Sequence, residues 1–66
     1  MLSARNQFKG KIKSVTLGNV MAEVVEAVSG IEIVSLISRG SAEHLSLKAG
    51  DEVTAVIKST EVLIDK

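Results

Sequence analysis

The stretch VMAEVVEAVSGIEIVSLIS, residues 20–38, decides the fold class. Its two halves, residues 20–28 and 31–38, are rich in β-branched side chains, which favour extended strands. Ser29-Gly30 lies between them, and a two-residue connection that contains glycine is typical of a tight hairpin. The stretch therefore predicts two antiparallel strands, the second and third of the chain.

Strands are also predicted on both sides of this hairpin. Residues 5–17 are expected to form the first strand, and the apolar positions change phase after Lys13, which indicates a bulge or a sharp bend there. Residues 52–57 and 61–65 are expected to form the last two strands, separated by the turn Lys58-Ser59-Thr60.

One short helix is predicted over residues 41–47, between the third and fourth strands. Ser41 is its expected N-cap, and Gly50 is expected to end it. Five strands with a helix between the third and fourth are the order of an OB-fold. The sequence therefore predicts an all-β protein, a five-stranded Greek-key barrel, that forms a single domain over residues 1–66.

The composition indicates that this small domain associates with further copies. A chain of 66 residues buries only roughly 60% of its unfolded surface, so small domains are usually stabilised by disulfides, a metal or association. With no cysteine and one histidine, disulfides and a transition-metal site are excluded, and we expect no direct protein ligand to a metal. Hydrophobic residues make up 45% of the chain, and several strands are apolar on both faces, which favours subunit interfaces.

Charge and patterning weigh against several classes of function. Eight basic and eight acidic residues balance, whereas a nucleic-acid-binding surface needs a basic excess. No stretch is long enough to cross a membrane and no secretory signal is recognisable, so we expect a cytoplasmic protein without a membrane partner. Ser41, His44 and Asp51 have the side chains of a hydrolase triad, but no oxyanion loop accompanies them, and we expect no enzyme.

Two polar clusters remain as candidate sites. The first is Ser3-Ala4-Arg5-Asn6 and the second is Lys58-Ser59-Thr60. Cationic side chains, hydroxyl and carboxamide donors and free backbone N–H groups are the groups that surround a small oxyanion, and neither cluster contains a carboxylate to repel it. The alternative, that both clusters are solvated surface residues, is also open at this stage.

The stretches SARNQFKGKI, residues 3–12, and AGDEVTAVIKSTEVLI, residues 49–64, resemble the molbindin or Mop family of molybdenum-pterin-binding proteins. The resemblance covers essentially the whole chain. It implies an OB-fold that assembles as a homohexamer, a trimer of dimers, and binds molybdate or tungstate at subunit interfaces as an intracellular store. It also implies the residues of a first site, the stretch Ser3, Ala4, Arg5 and Asn6, to which Lys58 and Ser59 are contributed by a neighbouring subunit. Thr60 stands at a position where the family commonly has Ser or Thr.

The resemblance further implies a second type of oxyanion site near a threefold axis, where Ser38, Gly40, Ser41 and His44 are the candidate residues. A pterin is not expected, because a chain without Trp or Tyr has little on which a pterin ring stacks. Two other functions are kept as alternatives: a single-stranded nucleic-acid-binding OB-fold module, although it would have only Phe8 for base stacking, and a structural or regulatory interaction module.

Overall fold

The computed structural model describes residues 4–66. Over these residues it contains β1 (Asn6–Leu17), β2 (Met21–Val28), β3 (Ile31–Ser38), α1 (Arg39–His44), β4 (Glu52–Ile57) and a 3-10 turn (Ser59–Glu61). The four strands form one antiparallel sheet in the order β3-β2-β1-β4. The predicted all-β class, with one short helix between the third and fourth strands, is confirmed.

The first strand serves two partners in succession. Its first half, from Asn6 to Lys11, pairs with β4, and its second half, from Lys11 to Leu17, pairs with β2. The register with β2 shifts between Ile12 and Ser14, which confirms the irregularity predicted near Lys13. At this point the Ile12 carbonyl accepts a hydrogen bond from the Gly50 N–H at 2.8 Å, which ties the segment before β4 to the bend.

The hairpin between β2 and β3 forms as predicted. Ser29 and Gly30 both have positive φ, 46° and 84°, between the last ladder pair Val28 and Ile31. Two central residues with positive φ match the right-handed twist of the flanking strands, and glycine adopts that conformation without a steric penalty. The Ser29-Gly30 sequence therefore fixes the register of the whole β2–β3 ladder.

A helix is present where it was predicted, but its boundaries, Arg39–His44, differ from the predicted residues 41–47. The N-cap is Ser38, whose hydroxyl accepts a hydrogen bond from the Ser41 N–H at 3.1 Å, so Ser41 is not the cap. Nor does Gly50 end the helix, which stops at His44. Gly50 instead has φ +92° in the loop that enters β4, a conformation that favours glycine.

The predicted fifth strand, residues 61–65, is wrong for the described chain, which has four strands. After the 3-10 turn the backbone of Val62 is extended, but no residue beyond it belongs to a ladder. The side chains of Leu63 and Ile64 are 91% and 89% exposed. The β-branched and aliphatic pattern of this segment is that of a strand, but a strand also needs a neighbour for its backbone groups.

The core is made of small and medium aliphatic side chains. Its buried members come from every strand except β3 and from the helix: Ile12, Ala22, Val24, Val28, Ala42 and Ala55. On β3 the outward side chains Val34 and Leu36 are 59% and 68% exposed, as expected of a strand that is apolar on both faces. Among the described residues no helix is long and apolar enough to pass through a bilayer.

Candidate functional site

The β1–β4 ladder brings the two predicted clusters to one end of the sheet. Its last pair is Asn6 opposite Ile57, so residues 4–5 and residues 58–59 leave the ladder at the same end. The two clusters are separated by about 50 positions in the sequence, and the antiparallel register places both at one end of the sheet. Ser3, the remaining member of the first cluster, lies outside the described residues.

The first cluster is fixed locally by Gln7. The Gln7 backbone N–H donates to the Arg5 carbonyl at 3.1 Å, and the Gln7 side-chain Nε2 donates to the Ala4 carbonyl at 2.6 Å. Ala4 and Asn6 are half-buried, whereas the Arg5 side chain is exposed. The segment that precedes β1 therefore has a defined backbone path, with the Arg5 guanidinium facing solvent.

The second cluster begins a 3-10 turn. Lys58 caps this turn in an extended conformation, with φ −66° and ψ 139°, and its carbonyl accepts from the Glu61 N–H at 2.9 Å. The N–H groups of Ser59 and Thr60 precede this first bond of the turn, and such groups have no acceptor inside the turn itself. Lys58, Ser59 and Thr60 are all exposed, so the turn presents an ammonium group and two hydroxyls to solvent.

Neither cation of the site is neutralised by a carboxylate of the described chain. The ion pairs found over residues 4–66 are Lys13 with Glu32 and Arg39 with Glu43, the latter at 3.5 Å between Nε and Oε1. Arg5 and Lys58 take part in neither pair. Two positive charges therefore lie at the same end of the sheet without a carboxylate partner among the described residues.

The four residues of the candidate second site also lie together. Ser38, Gly40, Ser41 and His44 line, with Leu45, an open pocket of about 500 Å³ at the start of α1. The Ser38 hydroxyl donates to the Ser41 hydroxyl at 2.8 Å while accepting from the Ser41 N–H. The Ser38 hydroxyl is therefore committed to the helix cap, whereas the O–H group of Ser41, which only accepts here, and the exposed His44 are the polar groups that this pocket offers to a ligand.

The polar groups at the end of the sheet and in the pocket at α1 are mainly hydrogen-bond donors. In the part of the chain that the structure covers, no group of three or more His, Asp or Glu side chains is arranged to hold a metal ion. Lysine, arginine, hydroxyl and amide groups cannot coordinate a bare cation well, but they bind the oxygens of an anion. These side chains can therefore bind an oxyanion by donating hydrogen bonds to its oxygen atoms.

Sequence reasoning missed two polar side chains with defined partners. Gln7 is part of the stretch that carries the resemblance, and its contact with Ala4 could have been expected from the spacing of three residues. Glu26 is 7% exposed, and its Oε1 accepts from the Ser35 hydroxyl at 2.8 Å, while its Oε2 has no partner in the described chain. Burial of Glu26 could have been expected from its position on the face of β2 that also carries Val24 and Val28.

Comparison with known proteins gives consistent results over nearly the whole chain. Residues 2–64 match the TOBE domain family. The chain is 55% identical to molybdenum-pterin-binding protein 3 of Clostridium pasteurianum over 64 residues, which cover 96% of this chain and 94% of that protein.

Solved structures agree with the sequence comparison. MopII from Clostridium pasteurianum is similar to this chain with a TM-score of 0.94 and 49% identity, and the match covers 100% of both chains. ModG, described as a cytoplasmic molybdate-binding protein and solved with molybdate bound, is similar with a TM-score of 0.85 and 41% identity. That match covers 88% of this chain and 42% of ModG.

Proposed function

Because this chain belongs to the TOBE-domain family, and within it is related to the Mop molybdenum-pterin-binding proteins, we propose that it binds molybdate and tungstate. The proposed domain comprises residues 1–66. The single observation that carries the proposal is the β1–β4 register, in which Asn6 faces Ile57 and the Arg5 and Lys58 segments leave the sheet at one end. Both clusters therefore lie at the same end of one subunit, where a neighbouring subunit can present its own Lys58 cluster to the Arg5 cluster, and neither cation takes part in the ion pairs of the described chain.

Binding is proposed to exchange the hydration shell of the dianion for donors of the protein. Arg5 and Lys58 supply positive charge, Ser3, Ser59 and Thr60 supply hydroxyl donors, and Asn6 supplies a carboxamide. Ala4 contributes through its backbone. Charge-assisted hydrogen bonds are roughly twice as strong as neutral ones, so the two cations contribute most of the affinity. No covalent bond is made or broken, and the proposed activity is binding rather than catalysis.

The proposed site does not separate molybdate from tungstate, because the two tetrahedral dianions are nearly the same size and present the same acceptor oxygens. Sulfate has the same charge but is smaller. In a cavity shaped for the larger anion it leaves some donors unpaired, and each unpaired buried donor costs about 1–3 kcal/mol. A pterin is not part of the proposal, since the chain has no Trp or Tyr on which its ring could stack.

We further propose that the functional unit is a homohexamer, a trimer of dimers, in which Lys58 and Ser59 of one subunit reach the Arg5 cluster of another. Exposed aliphatic side chains support association: Leu36 on β3 is 68% exposed and Leu63 is 91% exposed. In such an assembly the pocket of Ser38, Gly40, Ser41 and His44 is the proposed second oxyanion site. An anion bound only by the assembled form stabilises that form, by about 2.7 kcal/mol at a hundredfold excess over its Kd.

The proposed biological role is storage of molybdenum as its oxyanion in the cytoplasm. This compartment is supported by the similarity to ModG, a cytoplasmic molybdate-binding protein.

Substitution of Lys58 by alanine tests the site. Losing a hydrogen bond to a charged group costs about 1.5–3 kcal/mol, so the molybdate Kd measured by equilibrium dialysis is expected to rise by roughly 10- to 150-fold. The matched control is Lys48→Ala, which removes another exposed lysine from the loop before β4 and is expected to leave the Kd unchanged.

Unchanged uptake of molybdate by the Lys58→Ala protein would show that the site lies elsewhere. Native mass spectrometry of the wild-type chain, with and without molybdate, tests the assembly in parallel. Six subunits with bound anions are expected. A monomer that retains tight binding would refute the shared site.

A further inference from the structure

The backbone just before β1 is held by a single residue of the strand. Gln7 donates its backbone N–H to the Arg5 carbonyl at 3.1 Å and its side-chain Nε2 to the Ala4 carbonyl at 2.6 Å. The second bond closes a turn over residues 4–7, so that the side chain does what a backbone N–H does in an ordinary turn. Two successive carbonyl groups are therefore oriented toward the same residue.

The sheet itself does not restrain this segment. β1 begins at Asn6, and the pair of Asn6 with Ile57 is the last one of the β1–β4 ladder. Arg5 lies beyond that pair with an exposed side chain, and it takes part in neither ion pair of the described chain. Backbone outside a ladder moves unless another contact holds it, and a mobile segment must be ordered at the moment a ligand binds, which opposes binding.

Fixing the two carbonyls also fixes two N–H groups. A trans peptide unit is planar, with its C=O and N–H pointing in opposite directions. The Ala4 carbonyl belongs to the same unit as the Arg5 N–H, and the Arg5 carbonyl to the same unit as the Asn6 N–H. With both carbonyls directed at Gln7, these N–H groups point away from it.

We propose that Gln7 is a positioning residue that preorganises the oxyanion site by hydrogen-bonding the Ala4 and Arg5 carbonyls; this inference rests on the function proposed above. Gln7 acts through the backbone and not on the anion. A neutral carboxamide suits this role, because it donates to a carbonyl without placing negative charge beside Arg5. A glutamate in its place would accept rather than donate, and it would repel the dianion.

The test uses the full-length chain with Gln7→Met, which keeps the length of the side chain and removes the Nε2 donor. The matched control is Thr16→Met, at an exposed position of the same strand. Three quantities are measured for each protein: the molybdate Kd, the thermal unfolding midpoint without anion, and the backbone order parameters of residues 4 and 5 without anion.

For Gln7→Met the molybdate Kd is expected to rise about fivefold, the size of one hydrogen bond's net contribution. The order parameters of Ala4 and Arg5 are expected to fall from rigid values of about 0.85 to below about 0.6, while the unfolding midpoint stays with that of the wild type. Thr16→Met is expected to match the wild type in all three. A residue with a merely structural role would lower the midpoint without a selective loss of order at residues 4 and 5.

Unchanged order at Ala4 and Arg5, or an unchanged Kd despite lost order, overturns the positioning role of Gln7. A wild-type chain that does not bind molybdate refutes the proposed function instead. The two failures are distinguishable, because the order parameters are measured without a ligand.

Discussion

Gly10 is the position where the sheet tolerates a side chain least. It lies on β1 between the bend at Ile12 and the beginning of the strand, where β2 crosses closely. A Cβ atom built on Gly10 would lie 2.7 Å from Val28 Cγ2 and closer still to the Ala27 carbonyl oxygen. The obstacle is in part backbone, which cannot rotate away as a side chain does.

The size of the effect of Gly10→Ala follows from these contacts. Carbon atoms in contact normally lie about 3.5–4.0 Å apart, so β1 and β2 must separate by roughly 1 Å to admit the methyl group. Inserting a methyl group into a tightly packed region costs about 1–3 kcal/mol, and the smaller backbone entropy of alanine in the unfolded chain offsets about 0.4–1 kcal/mol of this. The net expectation is a loss of about 1–2 kcal/mol in the free energy of unfolding.

Thermal and denaturant unfolding measure this loss. For a domain of this size 1 kcal/mol corresponds to about 4–8 °C, so the unfolding midpoint is expected to fall by roughly 10 °C. Gly40→Ala is the matched control, because its Cβ would meet nothing within 4 Å and α1 favours alanine. A Gly10→Ala protein as stable as the wild type would refute the close approach of β1 and β2.

Two further substitutions test the interior and the surface of the sheet. Ser35→Ala removes the donor to the buried Glu26 side chain and is expected to lower the free energy of unfolding, measured in urea, by about 1.5–3 kcal/mol. A smaller loss in a Glu26→Met background, which has no acceptor, would assign the effect to their hydrogen bond, and equal losses in the two backgrounds would contradict it. Lys13→Met breaks the ion pair between Lys13 and Glu32, whose two side chains are 62% and 50% exposed, respectively. Because solvent screens such a pair, the unfolding midpoint is expected to change by no more than a few degrees. A large drop would mean that the pair is not a solvent-screened surface contact.

Local chemistry was sufficient to predict the central hairpin and the bend of β1. At Ser29-Gly30 the required positive φ angles select the residue types directly, so the turn could be identified from two letters. The bend near Lys13 was visible because a change of apolar phase moves side chains to the other face of a strand. Both features depend on neighbours close in sequence.

The helix boundaries were predicted wrongly because they depend on contacts with other strands. Ser38 and Ser41 are both good N-cap residues, and the choice between them is made by β3, which ends at Ser38 and presents its hydroxyl to the Ser41 N–H. Gly50 was assigned to the helix end, but its N–H is used by the Ile12 carbonyl on β1. Neither contact can be inferred from the residues beside these positions alone.

The predicted strand over residues 61–65 was wrong for a similar reason, since a strand depends on a partner elsewhere in the fold. Val62, Leu63 and Ile64 have strong strand propensity, yet a ladder requires a second strand whose backbone groups are free to pair. The described chain does not supply that partner, and the three side chains are 48%, 91% and 89% exposed. The same aliphatic pattern that indicates a strand therefore indicates a contact surface when the chain is considered alone.

For the candidate site, residue types predict which groups can donate hydrogen bonds, whereas strand pairing determines where those groups lie. Candidate donors in both clusters could be proposed from the sequence, because charge and hydrogen-bonding capacity are properties of single residues. Their proximity could not be derived in this way, since it depends on β1 pairing with β4 in the one register that sets Asn6 opposite Ile57. A shift of one residue would turn the alternating side chains of β4 to the opposite faces and expose Ala55, which is 7% exposed in the core. Burial of the core therefore fixes the register, and the register in turn brings the segments of Arg5 and Lys58 to the same end of the sheet.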